Sequence, residues 1–276
     1  MEVSSRSRLR RILAHKGGFT EGRLVRTSGR RRAYALLGDN GSVKVLVIDV
    51  GGTHVKLLAT GRKTRVEIPS GPTMSAAKMV RDVRKATAGW DYSAVSMGYP
   101  GPVIHNRPVT EPHNLAHGWV GFDFRKAFRH PVRIINDAAM QALGSYQGGR
   151  MLFLGLGTGL GSAMIVDGIL EPMELAHLPY KKGRTYEDYV GLRGLKHWGK
   201  KKWRRHVTDV VTKLKAALEA DYVILGGGNA KLLKKLPAGA RLGDNNNAFR
   251  GGFRLWQESH GRVGRRPKRN RMQSGE

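Results

Sequence analysis

Four short stretches hold residues whose types and spacing suit phosphate chemistry. Asp49 precedes Gly51-Gly52-Thr53, and glycine with a small hydroxyl residue recurs at Gly157-Thr158-Gly159. A third glycine run occupies 226–228, and Asn136-Asp137 falls between the first two turns. Glycine has no Cβ, so consecutive backbone N–H groups of such turns can close on an anion. A carboxylate at the mouth of a turn, as at Asp49, can hold Mg²⁺ through water. A carboxylate at a strand end, as at Asp137, can take a proton from an attacking hydroxyl. The plainer accounts are a hairpin with a surface aspartate and an Asn-Asp helix cap. Two common nucleotide motifs fail: there is no Gly-Lys-Ser/Thr, and Leu160 stands where Gly-x-Gly-x-x-Gly would need its last glycine after Gly155 and Gly157.

The flanking patterns predict the elements that would position these groups. Residues 45–58 read as a buried strand, a tight glycine turn and a returning strand. Residues 65–68 read as a third strand, ended by Pro69-Ser70-Gly71-Pro72. Residues 74–87 place Ala77, Val80, Val83 and Ala86 at helical spacing, with Ser75 or Thr73 as N-cap. Strands follow at 94–97 and 132–135, the latter ending at Asn136-Asp137 with a helix over 138–146. Residues 151–166 repeat the strand, glycine turn, strand pattern. Residues 222–228 run from a strand into glycines, with a helix start at 229–231. Alternating strands and helices indicate an α/β protein, in which ligands collect at the carboxyl ends of strands.

Composition adds one strong constraint. The chain has 276 residues and no cysteine, which excludes disulfides and thiolate metal sites and agrees with a reducing cytoplasm. No apolar run reaches the roughly 18 residues of a membrane-spanning helix. The formal net charge is +28, of which residues 1–43 carry +7, residues 257–276 carry +4 and the body between them +17. The body itself must therefore attract a polyanion: nucleic acid, polyphosphate or an anionic membrane. From Arg193 to Arg205 there are seven Lys/Arg, no acid, and Trp198 and Trp203 between them. That pattern suits a polyphosphate track and a single-stranded nucleic-acid surface alike. The first 43 residues read as a disordered basic extension; a targeting segment, an RNA-binding arm and a start-site artefact all fit it.

Taken together and in this order, the stretches DVGGTHVK (49–56), Asn136-Asp137, GLGTGLG (155–161) and Gly226-Gly227-Gly228 resemble the sugar kinases of the ROK family. The stretches ELAHLPY, GRTYEDYVG, KKKWRRHV, LGGGNAKLL and NAFRGGFRLW look like its polyphosphate glucokinase branch. The resemblance covers residues 44–256. It implies a two-lobed actin-like ATPase (ribonuclease H-like) fold with a central cleft, lobes at 44–147 and 148–256, disordered basic tails at 1–43 and 257–276, and a final helix that can return to the first lobe. It implies phosphoryl transfer from polyphosphate or ATP, with Mg²⁺, to the 6-hydroxyl of glucose. Asp137 would be the general base and Asp49 the Mg²⁺ residue. Gly51, Gly52, Thr53, Lys56, Gly157, Thr158, Gly159, Gly227 and Gly228 would hold phosphate. Asn114, Asn136, Asp137, Glu174, His177 and Glu187 would hold the sugar, Glu174 and His177 sharing a face if helical. The family's zinc loop would need cysteines, and the residues after His177 contain none, so no zinc of that kind is expected. The resemblance also implies a cytoplasmic homodimer without membrane contact. ATP-dependent kinases of other hexoses and nucleic-acid-binding relatives are the alternatives. The repressors among those relatives carry a helix-turn-helix that residues 1–43 do not supply, so nucleic acid, reached through the basic tails, is not favoured.

Overall fold

The computed structural model describes residues 43–244 and 246–257. The expectations for the basic extension and tail lie outside the described residues, apart from their edges at 43 and 257. The chain opens with β1 (Val45–Val50), β2 (His54–Ala59) and β3 (Val66–Pro69), an antiparallel meander. Helix α1 (Ala76–Ala86) then crosses over to β4 (Ala94–Tyr99), which lies parallel to β1. A small hairpin, β5 (Val103–Ile104) with β6 (Arg107–Pro108), and helix α2 (Phe124–Phe128) lead to β7 (Val132–Asn136), parallel to β4. The first sheet therefore runs β3-β2-β1-β4-β7.

After α3 (Asp137–Ser145) the same plan is built again. Strands β8 (Arg150–Leu156), β9 (Leu160–Val166) and β10 (Ile169–Met173) form the meander. A hairpin, β11 (Pro179–Lys181) with β12 (Arg184–Thr185), and helices α4 (Tyr186–Val190) and α5 (Leu192–Ala217) make the crossover. Strands β13 (Tyr222–Gly226) and β14 (Ala240–Leu242) pair in parallel beyond β8, giving the order β10-β9-β8-β13-β14. Helix α6 (Asn247–Arg254) follows the last strand as α3 follows β7.

The apolar run of β1 is continuous because both faces of the strand are buried. Leu46, Ile48 and Val50 point into one core with α1 and α2, while Val45 and Val47 pack with Met140, Ala248 and Phe249 on the other side. Strand β8 repeats this, with Leu152, Leu154 and Leu156 toward α5 and Met151 and Phe153 toward α3. Helices α3 and α6 lie against each other, closely enough that a Cβ on Gly144 would overlap the Asn247 carbonyl and one on Gly251 the Met140 carbonyl. The final helix does return to the first sheet: Ser96 Oγ donates to Gly252 O (2.6 Å) and Trp256 Nε1 donates to Ser96 Oγ (2.9 Å).

Three local expectations need correction. The buried face of α1 is Ala76, Met79, Val80 and Val83, with Ala77 exposed and Ala86 only partly covered, because Ser75 caps the helix and sets its first turn. Residues 174–177 form a turn between β10 and β11 rather than a helix, so Glu174 and His177 do not share a helical face. Residues 230–232 make one 3₁₀ turn and not a helix; Leu233 is extended and ends it.

Candidate active site

The first glycine turn joins β1 to β2 at residues 51–53. Gly51 N donates to His54 O (3.0 Å), and a Cβ on Gly51 would stand 2.8 Å from that oxygen. Ser70, beyond β3, fastens the turn: its Oγ donates to Gly51 O (2.6 Å) and its N to Thr53 O (2.9 Å). Asp49 sits directly across the hairpin from Lys56, with Nζ to Oδ2 at 3.8 Å. The Asp49 side chain is 17% exposed. Burial pushes its carboxyl above the usual range, and Lys56 and Arg65 pull it part of the way back. Asn114, exposed in the loop after β6, lies with its Cβ against the turn: a Cβ on Gly52 would stand 3.2 Å from it.

Asp137 opens α3 at the end of β7. The plainer reading of Asn136-Asp137 holds for its first residue: Asn136 Oδ1 accepts Ala138 N (2.9 Å) and Ala139 N (3.2 Å), and Nδ2 donates to Gly101 O (3.1 Å). The Asn136 amide is thus committed to protein partners and aims α3. Asp137 is different. Its Oδ1 accepts Ala138 N (2.7 Å), yet burial, the Asp49 carboxylate and the Glu174 carboxylate push its pKa up to about 7. Desolvation and like charge both penalise the ionised form. The site therefore gathers Asp49 from the first sheet, Asp137 from the helix between the sheets, and Glu174 from the turn after β10.

Gly98 permits this approach. It stands beside Asp49 in the β1–β4 register, and a Cβ there would lie 3.6 Å from the Asp137 Cα and overlap the Met140 side chain. In the sequence Gly98 looks like the start of a loop; only its pairing with β1 and β7 makes it part of a strand.

The second and third turns meet each other. Gly157, Thr158 and Gly159 connect β8 to β9, with Gly157 N donating to Gly159 O (3.1 Å). Glu187 Oε2 accepts Leu160 N (3.0 Å), and a Cβ on Gly159 would overlap that carboxylate. Glu187 is therefore built into the second turn. Gly227 has φ of +80°, and a Cβ there would overlap the Leu156 carbonyl. Asn229 ties the two turns: its N donates to Leu156 O (2.9 Å) and its Nδ2 to Gly157 O (3.0 Å). Nothing in the sequence distinguished Asn229 or Ser70 from ordinary turn residues. Gly228 faces open space, and Gly226, Gly227 and Gly228 line a cavity of about 370 Å³ together with Lys231, Asp244 and Asn247. His177 is exposed in the 176–177 turn.

Among the described residues no group of three or more His, Asp or Glu could hold a metal ion. Mg²⁺ needs less, since it is held by one or two carboxylates together with the phosphates of a substrate. A half-buried Asp49 whose charge is only partly offset by Lys56 fits that mode. Among the described residues no helix is long and apolar enough to cross a membrane. Each glycine turn leaves backbone N–H groups that suit an anion, and Asp137 is a carboxylate with a pKa of about 7 close enough to Asp49 and Glu174 to feel their charge.

Comparison with known proteins bears on the family and the fold. The polyphosphate glucokinase of Mycobacterium tuberculosis (strain CDC 1551 / Oshkosh) is 29% identical over 213 residues, covering 68% of this chain and 78% of that protein. The inorganic polyphosphate/ATP-glucomannokinase from Arthrobacter sp. strain KM superposes with a TM-score of 0.66 at 24% identity, covering 78% of this chain and 98% of the other. A ROK family glucokinase from Streptomyces griseus, in complex with glucose and AMPPNP, gives a TM-score of 0.64 at 19% identity over 77% of this chain and 98% of the other. At these identities the two structures speak to fold: the doubled sheet topology is the actin-like ATPase fold of ROK sugar kinases. The ROK family model matches residues 45–172, which include Asp49, Asp137 and the first two glycine turns and stop short of Glu174 and the third. Over those residues the chain carries a ROK family domain.

Proposed function

We propose that the protein is a hexose kinase that transfers a phosphoryl group from inorganic polyphosphate or ATP to the 6-hydroxyl of glucose. The observation that carries this reading is Asp137 at the start of α3, against Gly98 and so beside Asp49, where burial and that carboxylate push its pKa up to about 7. A base is most effective when its pKa lies near the working pH. Phosphoryl transfer asks the protein mainly for positioning, charge neutralisation and that base.

In this reading the acceptor hydroxyl lies against Asp137, which takes its proton as the oxygen bonds to phosphorus and the donor's bridging oxygen leaves. Asn114, Glu174, His177 and Glu187 are proposed to orient the sugar, with Asn136 aiming α3. Gly51, Gly52, Thr53 and Lys56 hold the transferred phosphate, while Gly157, Thr158, Gly159, Gly227 and Gly228 hold the remainder of the donor. Asp49 would hold Mg²⁺, which when bound neutralises charge on the phosphates. The names of the relatives support glucose as acceptor and polyphosphate as donor. The cavity at residues 226–228 supports ATP as a second donor, because it has room beside the turn for a group larger than phosphate. A cytoplasmic homodimer with lobes at 44–147 and 148–256 completes the proposal.

The test is one assay with two donors. Purified protein with glucose, Mg²⁺ and either long-chain polyphosphate or ATP should form glucose 6-phosphate. No phosphorylation of any hexose from either donor overturns the reading.

A further inference from the structure

The seven basic residues between Arg193 and Arg205, taken with their two tryptophans, fit a nucleic-acid surface as well as a polyphosphate track while only the sequence is considered. The fold separates the two. Trp203 is fully buried, and its Nε1 donates to Val190 O (2.8 Å). Trp198 is half-buried and stacked on Tyr189, with centroids 5.5 Å apart and planes at 15°. Trp203 cannot take a base, and Trp198 has one face against Tyr189 with Lys202 Nζ 6.0 Å from its ring centroid, whereas stacking on open aromatic faces is what single-stranded nucleic acid requires of such a surface. Between residues 200 and 205, what α5 exposes is Lys200, Lys201, Lys202 and Arg205.

The charge is also organised. Gly199 (φ 67°, ψ 163°) breaks α5, so Lys200 and Lys201 fall in the first turn of its second segment. Cations there oppose the helix macrodipole, so helix stability does not explain them. Arg204, one turn further on and on the same face, donates from Nε to Leu232 O (2.7 Å). That bond brings α5 against the segment that carries Lys231, Lys234 and Lys235, all exposed. The segment in turn starts at Asn229, which is bonded to Gly157 O and Leu156 O in the second glycine turn. Lys231 itself lines the cavity at the third turn. Among the described residues, none of Lys200, Lys201, Arg205, Lys231, Lys234 and Lys235 is paired with a carboxylate.

We infer that this surface is a track for the distal part of a polyphosphate chain, running from the second and third glycine turns along residues 231–235 and onto the Lys200–Arg205 face of α5. The inference rests on the kinase reading for the place where the chain's reacting end sits. Consecutive unpaired cations, with no aromatic platform between them, match a polymer that has a charge on every unit and no base. The donor is then gripped along its length, and its affinity depends on how many phosphates reach the lysines.

The test compares the full-length protein with a Lys200→Gln, Lys201→Gln, Lys234→Gln, Lys235→Gln variant, after circular dichroism and the thermal midpoint show both folded. Binding of long-chain polyphosphate is measured by calorimetry across a salt series. The variant should bind at least about tenfold more weakly, and its slope of log affinity against log salt should be shallower by about 3, roughly 0.7 for each charge removed. In the glucose assay its KM for long-chain polyphosphate should rise by a similar factor, while the KM for tripolyphosphate, too short to reach the lysines, moves less than about twofold. Unchanged affinity and slope overturn the track. So does displacement of polyphosphate by single-stranded RNA at equal phosphate concentration, which would make nucleic acid the partner. A wild type that binds polyphosphate through these lysines yet phosphorylates no hexose supports the track and overturns the kinase reading instead.

Discussion

Replacing Asp137 with asparagine should reduce activity and raise stability at once, and the two effects come from the same electrostatics. Burial and the carboxylates of Asp49 and Glu174 lift Asp137 from 3.8 to about 7. That difference of roughly 3 pH units, at about 1.4 kcal/mol each, bounds the cost of holding the group ionised at about 4 kcal/mol. Asparagine keeps an oxygen for Ala138 N but gives up an anion at the start of α3, which offsets about 0.3–1 kcal/mol. Relaxation and water around a partly exposed site reduce the remainder, so a net gain of about 1–3 kcal/mol is expected above pH 7. The folded state binds this proton more tightly than the unfolded chain. The wild type therefore loses stability as pH rises from about 4 through 7 and is level above that, while the variant lacks this loss. Urea unfolding of both proteins at pH 5 and pH 8.5 reads the gap, which should be wide at pH 8.5 and narrow at pH 5. Glucose phosphorylation at pH 8 should fall by about 10²- to 10⁴-fold, the usual share of a general base. A variant less stable than wild type by the same amount at both pH values, with activity within about tenfold, would mean that Asp137 is a helix cap and nothing more.

Three further outcomes follow from the same geometry. The wild-type kcat/KM for glucose should rise with pH through a single deprotonation near 7 and then level, because the base works only when ionised; a flat profile from pH 5.5 to 8.5 contradicts the assignment. Gly98→Ala should cost about 1–3 kcal/mol of stability by overlapping Met140 and should lower kcat by displacing the start of α3, which thermal unfolding and initial rates report together. Asp209 accepts from the Tyr180 hydroxyl (2.5 Å), Lys181 (3.0 Å) and Lys213 (3.1 Å), which hold its carboxyl far below the usual range. Its stabilisation is present above about pH 4 and is lost only as strong acid protonates it, so Asp209→Asn should lower stability at pH 7 by about 1 kcal/mol, given a side chain 35% exposed, and by less as pH falls below 3.

The strands were legible where the chain is buried on both faces. Residues 45–50, 151–156 and 222–226 read as apolar runs because the sheet leaves neither side to water, and the glycine turns after them stand out for the same reason. What the sequence could not disclose depends on pairing. Gly98 becomes part of the site only through its place beside Asp49 in a parallel ladder, and Ser70 only through a hydrogen bond 19 residues back in the chain. Asn229 looked like a helix start; the structure gives it to the second turn and leaves the helix one 3₁₀ turn long. Trp198 and Trp203 misled in a different way. Their spacing among lysines is visible, but whether a helical residue faces in or out depends on which face the rest of α5 buries, here the Trp203, Val207, Val210, Val211 and Leu214 side.

The doubled topology also explains why the two glycine-turn regions can do different work. In the first sheet the strand end before the turn pairs Asp49 of β1 with Gly98 of β4; at the matching place in the second sheet Gly155 of β8 pairs with Gly226 of β13. The strand end before the first turn therefore carries a carboxylate and the matching strand end before the second turn carries glycine, while the carboxylate at the second turn, Glu187, comes from α4 and is bonded to Leu160 N. The helices that follow the fifth strands differ likewise: α3 begins with Asp137, whereas α6 has no acid in its first turn. Gly226 is the counterpart of Gly98, and a Cβ on it would meet the Phe153 ring at 2.5 Å, so both copies keep a glycine beside the strand end that enters the turn. Negative groups gather where a proton must be taken and a cation held. At the second and third turns Glu187 is bonded to Leu160 N and Asp244 lines the cavity, and the lysines begin there with Lys231. On the kinase reading, a fold built twice puts the proposed base and cation residue, Asp137 and Asp49, at the strand end of the first copy, and leaves the turns of the second copy and the lysines beyond them for the length of the donor.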